Sequence, residues 1–388
     1  MLSDLPIDLV DYIISLTDNK VYDLCLVNHY FNNHCKRISI TSNADYPNME
    51  DEHLKTLINI TALNLDNNNI ITDEGMKNLR HIIYLKLRGG NYDITDEGIK
   101  HLSSLTFLDI SYNDRITNEG ISDLINLRYL DTGGTNISNN GIIKLTKLTS
   151  LNLENSDYIT DIKHLTNLTK LDLSFNSFIT DEQLLLLTKL TSLNLSHNQV
   201  ISDIEHLSNL TELDLTFNNN IDSIPNNLTS INLAHNNIIA PDLLPLSLVH
   251  IGLSYNERID QEFLLQLTNL TSLDILRDYF IYGSTLMKMT NLTSLIADNN
   301  LCIHNVSIKT LTNLTNLSIP YSINRFVTDE GISDLINLTK LNINSTSDSG
   351  ITNEGVKHLT NLVNLSACDS LVTRDILPFL PKLKKFKI

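Results

Sequence analysis

The sequence predicts an α/β repeat solenoid, a horseshoe with short parallel strands on its concave face, preceded by a small helical domain. Three observations predict it. The pattern LxxLxLxxN recurs along nearly the whole chain, the segments between leucine clusters read as short helices or tight turns, and residues 1–40 break the pattern. A chain of 388 residues also exceeds what one ordinary compact core holds, so it must be several domains or one array growing in a line.

The second apolar position of the pattern falls at Leu63, Leu85, Leu108, Leu130, Leu151, Leu171, Leu193, Leu213, Ile231, Ile251, Leu273, Leu295, Leu317, Leu341 and Leu365. The spacings, 18 to 24 residues, lie in the range of leucine-rich repeats, and the chain resembles that family. The resemblance implies a solenoid over residues 35–388, with about 15–16 repeats. A degenerate unit precedes them at Ile38-Ser39-Ile40, and Leu383, Phe386 and Ile388 read as a closing half-repeat. In the LxL core, alternate side chains point to opposite faces of a strand, so the leucines go inward and their neighbours outward. The Asn that follows, as at Asn68, Asn113, Asn176, Asn198, Asn218, Asn236, Asn256 and Asn300, sits where the chain turns. Its amide can bond backbone groups that the turn leaves unpaired, and stacked turns would form a ladder of such amides.

Return segments such as ITDEGIKHL from Ile94 and VTDEGISDL from Val327 carry a Thr N-cap followed by acids, which suits a short helix. Returns between Leu151 and Ile251 are shorter and leave room for a single 3-10 or irregular turn. The recurring His101, His164, His206 and His358 are expected to be solvent-facing filler. Lys384, Lys385 and Lys387 would keep an edge strand from pairing with another chain.

A formal charge of −17 argues against nucleic acid and anionic membranes. The four cysteines, Cys25, Cys35, Cys302 and Cys368, form no CxxC motif and are scattered, which points to a reducing compartment. The opening MLSDLPIDLV has acids where a signal peptide needs a basic start, and no stretch approaches the roughly 20 apolar residues of a membrane span. An intracellular, cytoplasmic location is expected, and the frequent Asn-x-Thr triplets then follow from the repeat rather than from glycosylation. No nucleotide-binding, metalloprotease, hydrolase or kinase signature occurs. Cys25, His29, His34 and Cys35 match no zinc spacing. Neither an enzyme nor a cofactor is expected.

Residues 1–40 place Pro6 at a helix start, then Leu5, Leu9, Ile13 and Leu16 at helical spacing, with Val10 and Ile14 widening the apolar face. A second helix would carry Val21, Leu24, Leu26, Val27 and Phe31. So short a segment cannot bury this much apolar surface unaided. Leu5-Pro6, Leu9-Val10, Ile13-Ile14, Leu24 and Val27 resemble an F-box. That family's three-helix hook docks on the Skp-type adaptor of a cullin–RING ubiquitin ligase. The resemblance implies adaptor contacts at Leu5, Pro6, Leu9, Val10, Ile13, Ile14, Leu24 and Val27. It departs at Phe31, where a Trp is usual, and in a short loop at Asp18 to Lys20. The arrangement resembles F-box/leucine-rich-repeat substrate receptors, and its Asn- and Ile-rich style is similar to proteins of giant amoebal viruses, which would place it in a host cytoplasm. The other readings are a plain helical cap on a protein-binding scaffold or decoy, and a secreted internalin-like adhesin, which the acidic start disfavours.

A protein substrate, its identity unknown, would bind the concave face. Tyr84, Lys86, Arg88, Phe107, Asp109, Tyr129 and Asp131 mix aromatic and charged residues there, as interfaces do. Phe175, His197, Phe217, His235, Tyr255 and Arg277 precede successive turns and would align as a second ridge, or else are ordinary repeat grammar. Asp109, Asp131, Asp172, Asp214 and Asp274 form either an acidic stripe that meets a basic partner or ordinary solvated strand residues.

Overall fold

A computed structural model describes residues 38–40, 49–57, 60–90, 93–277, 281–300, 303–320, 326–344 and 350–388. The chain forms two compact units, Met1–Asn194 and Leu195–Ile388. The F-box-like helices expected over residues 1–40 lie outside the described residues, apart from the strand at Ile38–Ile40.

Among the described residues of the first unit, eight short strands run parallel: β1 (Ile38–Ile40), β2 (Ile60–Asn64), β3 (Tyr84–Lys86), β4 (Phe107–Asp109), β5 (Tyr129–Asp131), β6 (Ser150–Asn152), β7 (Lys170–Asp172) and β8 (Ser192–Asn194). The degenerate unit at Ile38 thus supplies a strand, which pairs with β2 through an irregular register. From β2 onward the register matches leucine to leucine, with Leu63 beside Leu85, then Leu108, Leu130, Leu151, Leu171 and Leu193. These leucines are buried, as are the ones two residues on, such as Leu87 and Leu153; the strand residues on either side are mostly part-exposed, although Asp109 and Asp131 are buried. Each fully buried leucine stabilises its repeat by about 1.5–3 kcal/mol, and each repeat depends on its neighbours for that burial.

The second unit repeats the plan in β9 (Glu212–Asp214), β10 (Ser230–Asn232), β11 (His250–Gly252), β12 (Ser272–Asp274), β13 (Ser294–Ile296), β14 (Asn316–Ser318), β15 (Lys340–Asn342), β16 (Asn364–Ser366) and β17 (Lys385–Lys387). Pairing is again parallel and in register, ending with Leu365 beside Phe386.

The turn asparagines form the amide ladder that their recurrence predicts. Asn218 is fully buried. Its Nδ2 donates to the carbonyls of Leu195 at 3.1 Å and Asn198 at 2.6 Å, while its Oδ1 accepts from the N–H groups of Asn220 at 3.0 Å and Ile221 at 3.2 Å. Asn176, Asn236 and Asn256 bond in the same way. Each amide closes its own turn and ties it to the preceding repeat.

The TDEG returns fold as single helical turns, α1 (Asp73–Met76), α2 (Asp96–Ile99) and α3 (Asn118–Ile121) in the first unit. Thr95 caps its helix by accepting from the N–H of Glu97 at 3.3 Å. The first helical acid serves the next repeat instead. Asp73 accepts from Thr95 N–H at 2.8 Å and Thr95 Oγ1 at 2.7 Å, and Asp96 does the same for Thr117. This contact explains the glycine, because a Cβ at Gly98 would stand 2.4 Å from Asp73 Oδ1.

Two expectations need correction. The return at Asp181–Leu184 is an α-helical turn, not a 3-10 or irregular one, because its repeat has regained full length. A 3-10 turn does form at Pro241–Leu243. His101, solvent-exposed as expected, and the half-buried His164 are more than filler, since their Nε2 atoms lie 3.2 Å and 3.3 Å from the carbonyls of Met76 and Ile142 and so bridge adjacent repeats.

Candidate functional site

Parallel strands in register bring equivalent side chains into rows about 4.8 Å apart, a stacking distance for rings. At the first strand position Tyr84, Phe107 and Tyr129 form such a row. Their ring centroids are 4.2 Å and 4.0 Å apart, with interplanar angles of 19° and 2°. All three remain partly exposed.

The third strand position carries charge beside this stack. Lys86 Nζ lies 3.9 Å from Asp109 Oδ2 and 6.0 Å from the Phe107 centroid. Arg88, just after β3, lies over the Tyr112 ring at 5.7 Å, and Tyr112 donates its hydroxyl to Glu154 at 3.3 Å. Tyr112 and Glu154 were not singled out in the sequence. The signal for Tyr112 is its place immediately before Asn113, the same place as the ridge residues.

The aspartate stripe has a structural duty. Asp109, Asp131, Asp172, Asp214 and Asp274 each accept from the N–H two residues on, which forms the turn after the strand. Asp131 also accepts from Asn152 Nδ2 at 3.1 Å. Burial pushes the Asp131 carboxyl up to about 6, although the bonds from Gly133 and Asn152 pull it down; Asp109 and Asp172 add to the rise. Burial, with these carboxylates nearby, also raises the Tyr129 hydroxyl.

A carboxyl whose folded value lies above the ordinary 3.8 binds its proton more tightly when folded. Its contribution to stability is full below that ordinary value and is lost as the pH rises through about 6. Between about pH 5 and pH 7.5 the native state should lose roughly 1 kcal/mol through Asp131. Urea unfolding of the wild type and Asp131→Asn across this range checks it; equal slopes for both proteins would refute the assignment.

The ridge residues share a backbone conformation. Phe175 in the first unit has φ 54° and is half exposed. In the second unit His197, Phe217, His235, Tyr255 and Arg277 have φ between 53° and 55°. This left-handed region favours Gly and Asn, and the chain does use Asn67, Gly89, Gly134, Asn155 and Asn299 at the equivalent turn. From His197 to Tyr255 the rings instead form a column, with centroids 4.5, 3.9 and 4.3 Å apart, and the Arg277 guanidinium lies 5.7 Å from the Tyr255 ring. Burial, and then the nearby His197, lowers the His235 imidazole.

Among the described residues, no group of three His, Cys, Asp or Glu side chains is placed to hold a metal ion, and no helix is long and apolar enough to cross a membrane. Cys25, His29, His34 and Cys35 lie outside the described residues, as do the adaptor candidates Leu5, Pro6, Leu9, Val10, Ile13, Ile14, Leu24 and Val27.

The sequence matches the family described as Leucine Rich repeats (2 copies) over residues 166–209. It matches the family described as Leucine Rich repeat over residues 56–80, 101–125 and 206–223. Together with the strand register and the asparagine ladder, these matches support leucine-rich repeats in this chain. Comparison with curated proteins found no match. Among solved structures, an internalin from Listeria monocytogenes is 26% identical over 88% of this chain and 89% of its own, with a TM-score of 0.37. A leucine-rich-repeat protein of Leptospira interrogans is 20% identical over 94% and 97%, with a TM-score of 0.45. The TLR13–ssRNA13 complex is 20% identical over 86% of this chain and 60% of that one, with a TM-score of 0.57; this likeness concerns the fold alone.

Proposed function

We propose that the chain is a non-catalytic protein-binding receptor that holds a protein substrate on its outward strand face and turn ridge. Residues 1–40 dock as an F-box on the Skp-type adaptor of a cullin–RING ubiquitin ligase, and residues 35–388 present the substrate. The observation that carries the binding role is the partly exposed Tyr84–Phe107–Tyr129 stack with Lys86, Arg88 and the buried carboxylates of Asp109 and Asp131 beside it. Such aromatic and arginine clusters supply most of the binding energy at protein interfaces. The ridge supports the same reading, since rings, half-buried or exposed, occupy left-handed positions where Asn or Gly would cost less. The adaptor role is supported by Leu5-Pro6 and the apolar spacing after it. The TLR13 structure contains RNA by its description, but a net charge of −17 favours a protein here.

The test is co-purification of the tagged full chain from a eukaryotic lysate. Adaptor and cullin should be recovered with the wild type and lost with the triple variant Leu5→Ala, Pro6→Ala, Ile13→Ala. Phe107→Ser should keep the adaptor and lose the substrate. A wild-type chain that recovers a strand-face partner but no adaptor would make the protein a scaffold or decoy with residues 1–40 as a helical cap.

A further inference from the structure

One irregularity on the strand face is not required by the repeat. From β5 to β8 the third strand position alternates Asp and Asn, so that Asn152 donates to Asp131 and Asn194 donates to Asp172. Between β4 and β5 the alternation fails, and Asp109 pairs in register with Asp131. Like charges side by side on neighbouring strands oppose folding. Asparagine would serve the turn equally well, since Asn64 and Asn152 accept from the N–H two residues on just as the aspartates do.

One strand earlier, the chain shows what such a pair accommodates. Lys86 lies beside both the Phe107 ring and the Asp109 carboxylate. Tyr129 and Asp131 repeat that ring-and-carboxylate pair on β5. The residue in the place of Lys86 is then Asp109, and among the described residues no Lys or Arg pairs with Asp131. Around this carboxylate stand Asp109 on β4, Tyr129 on β5, Asn152 on β6 and Asp172 on β7.

Resting on the protein-binding reading above, we infer that Tyr129, Asp131 and Asp109 seat an arginine side chain of the protein partner. The guanidinium stacks on the exposed part of the Tyr129 ring and donates to the two carboxylates. Arginine suits the place better than lysine because its planar fork can stack and bridge two acceptors at once. The acidic chain steers a basic segment toward this face.

The probe is a fluorescein-labelled Gly-Arg-Gly-Arg-Gly peptide, with its neutral citrulline counterpart as control, titrated into the full chain by anisotropy. The arginine peptide should bind at least about tenfold more tightly than the citrulline one. Asp131→Asn and, separately, Tyr129→Leu should each weaken it by roughly tenfold. Asp222→Asn, which removes the same charge at an exposed site elsewhere, should leave binding unchanged. Arginine binding should also weaken as the pH falls through about 6, where Asp131 takes up its proton. Equal losses from Asp131→Asn and Asp222→Asn, or equal binding of both peptides, would reduce the effect to diffuse attraction and overturn the seat. Should the peptide fail while Phe107→Ser still costs the chain its cellular substrate, the seat falls and the receptor reading stands.

Discussion

Replacing Asn218 by alanine should destabilise the second unit by on the order of 4 kcal/mol, measured as a fall in the urea midpoint followed by circular dichroism. The amide is fully buried and makes four hydrogen bonds, two to carbonyls of the preceding repeat and two from its own turn. Alanine removes all four and leaves buried backbone groups without partners, a penalty of about 1–3 kcal/mol for each group that water cannot reach. The neighbouring residue provides the contrast. Phe217→Asn places a residue favoured in the left-handed region at φ 54°, so the loss of its ring stacking is offset and the change should stay within about 1 kcal/mol. Similar midpoints for the two variants would mean that the ladder does not hold the repeats together.

Gly98→Ala should cost about 2–3 kcal/mol, although alanine is intrinsically the better helix former by about 1 kcal/mol. The new Cβ would meet Asp73 Oδ1 at 2.4 Å and Ile94 Cγ2 at 3.1 Å. The carboxylate cannot swing aside, because Thr95 holds both of its oxygens. In an Asp73→Ala background the main clash is gone, and the same Gly98→Ala change should become neutral or stabilising. A double-mutant cycle on thermal or urea unfolding reads the coupling directly. Additive effects would show that the glycine is there for another reason.

These two positions show what could be read from the sequence. Asn218 was legible because its amide serves a turn that belongs to its own repeat, and the recurring Asn already implied a stack. The central leucines were legible for the same reason, since period-two burial is a local property of a strand. The partner of Asp73 was not legible. The acid looks like a first-turn residue of its own helix, and only the stacked structure reveals that it serves Thr95 and makes room a necessity at Gly98. The Asp109–Asp131 adjacency was legible as part of the acidic stripe, but the turn bonds that each carboxylate accepts were not, because they depend on the local path of the backbone after the strand. The ridge was visible as a run of ring residues before the turn, but its left-handed backbone was not, because Phe, His and Tyr are not the residues that announce that conformation.

The acid–threonine–glycine contact also governs how the array can lengthen or shorten. Each TDEG-type repeat presents the same plug forward and the same socket backward. Deleting residues 96–117 would join Thr95 to Asn118 and bring Gly120 under Asp73, so both the hydrogen bonds and the clearance would be remade. Whole repeats of this type are therefore interchangeable parts, and duplication or loss by unequal recombination leaves a chain that can still stack. The shorter returns, such as the one after Thr160, carry no such glycine, so the freedom to change length belongs to the TDEG-type stretches.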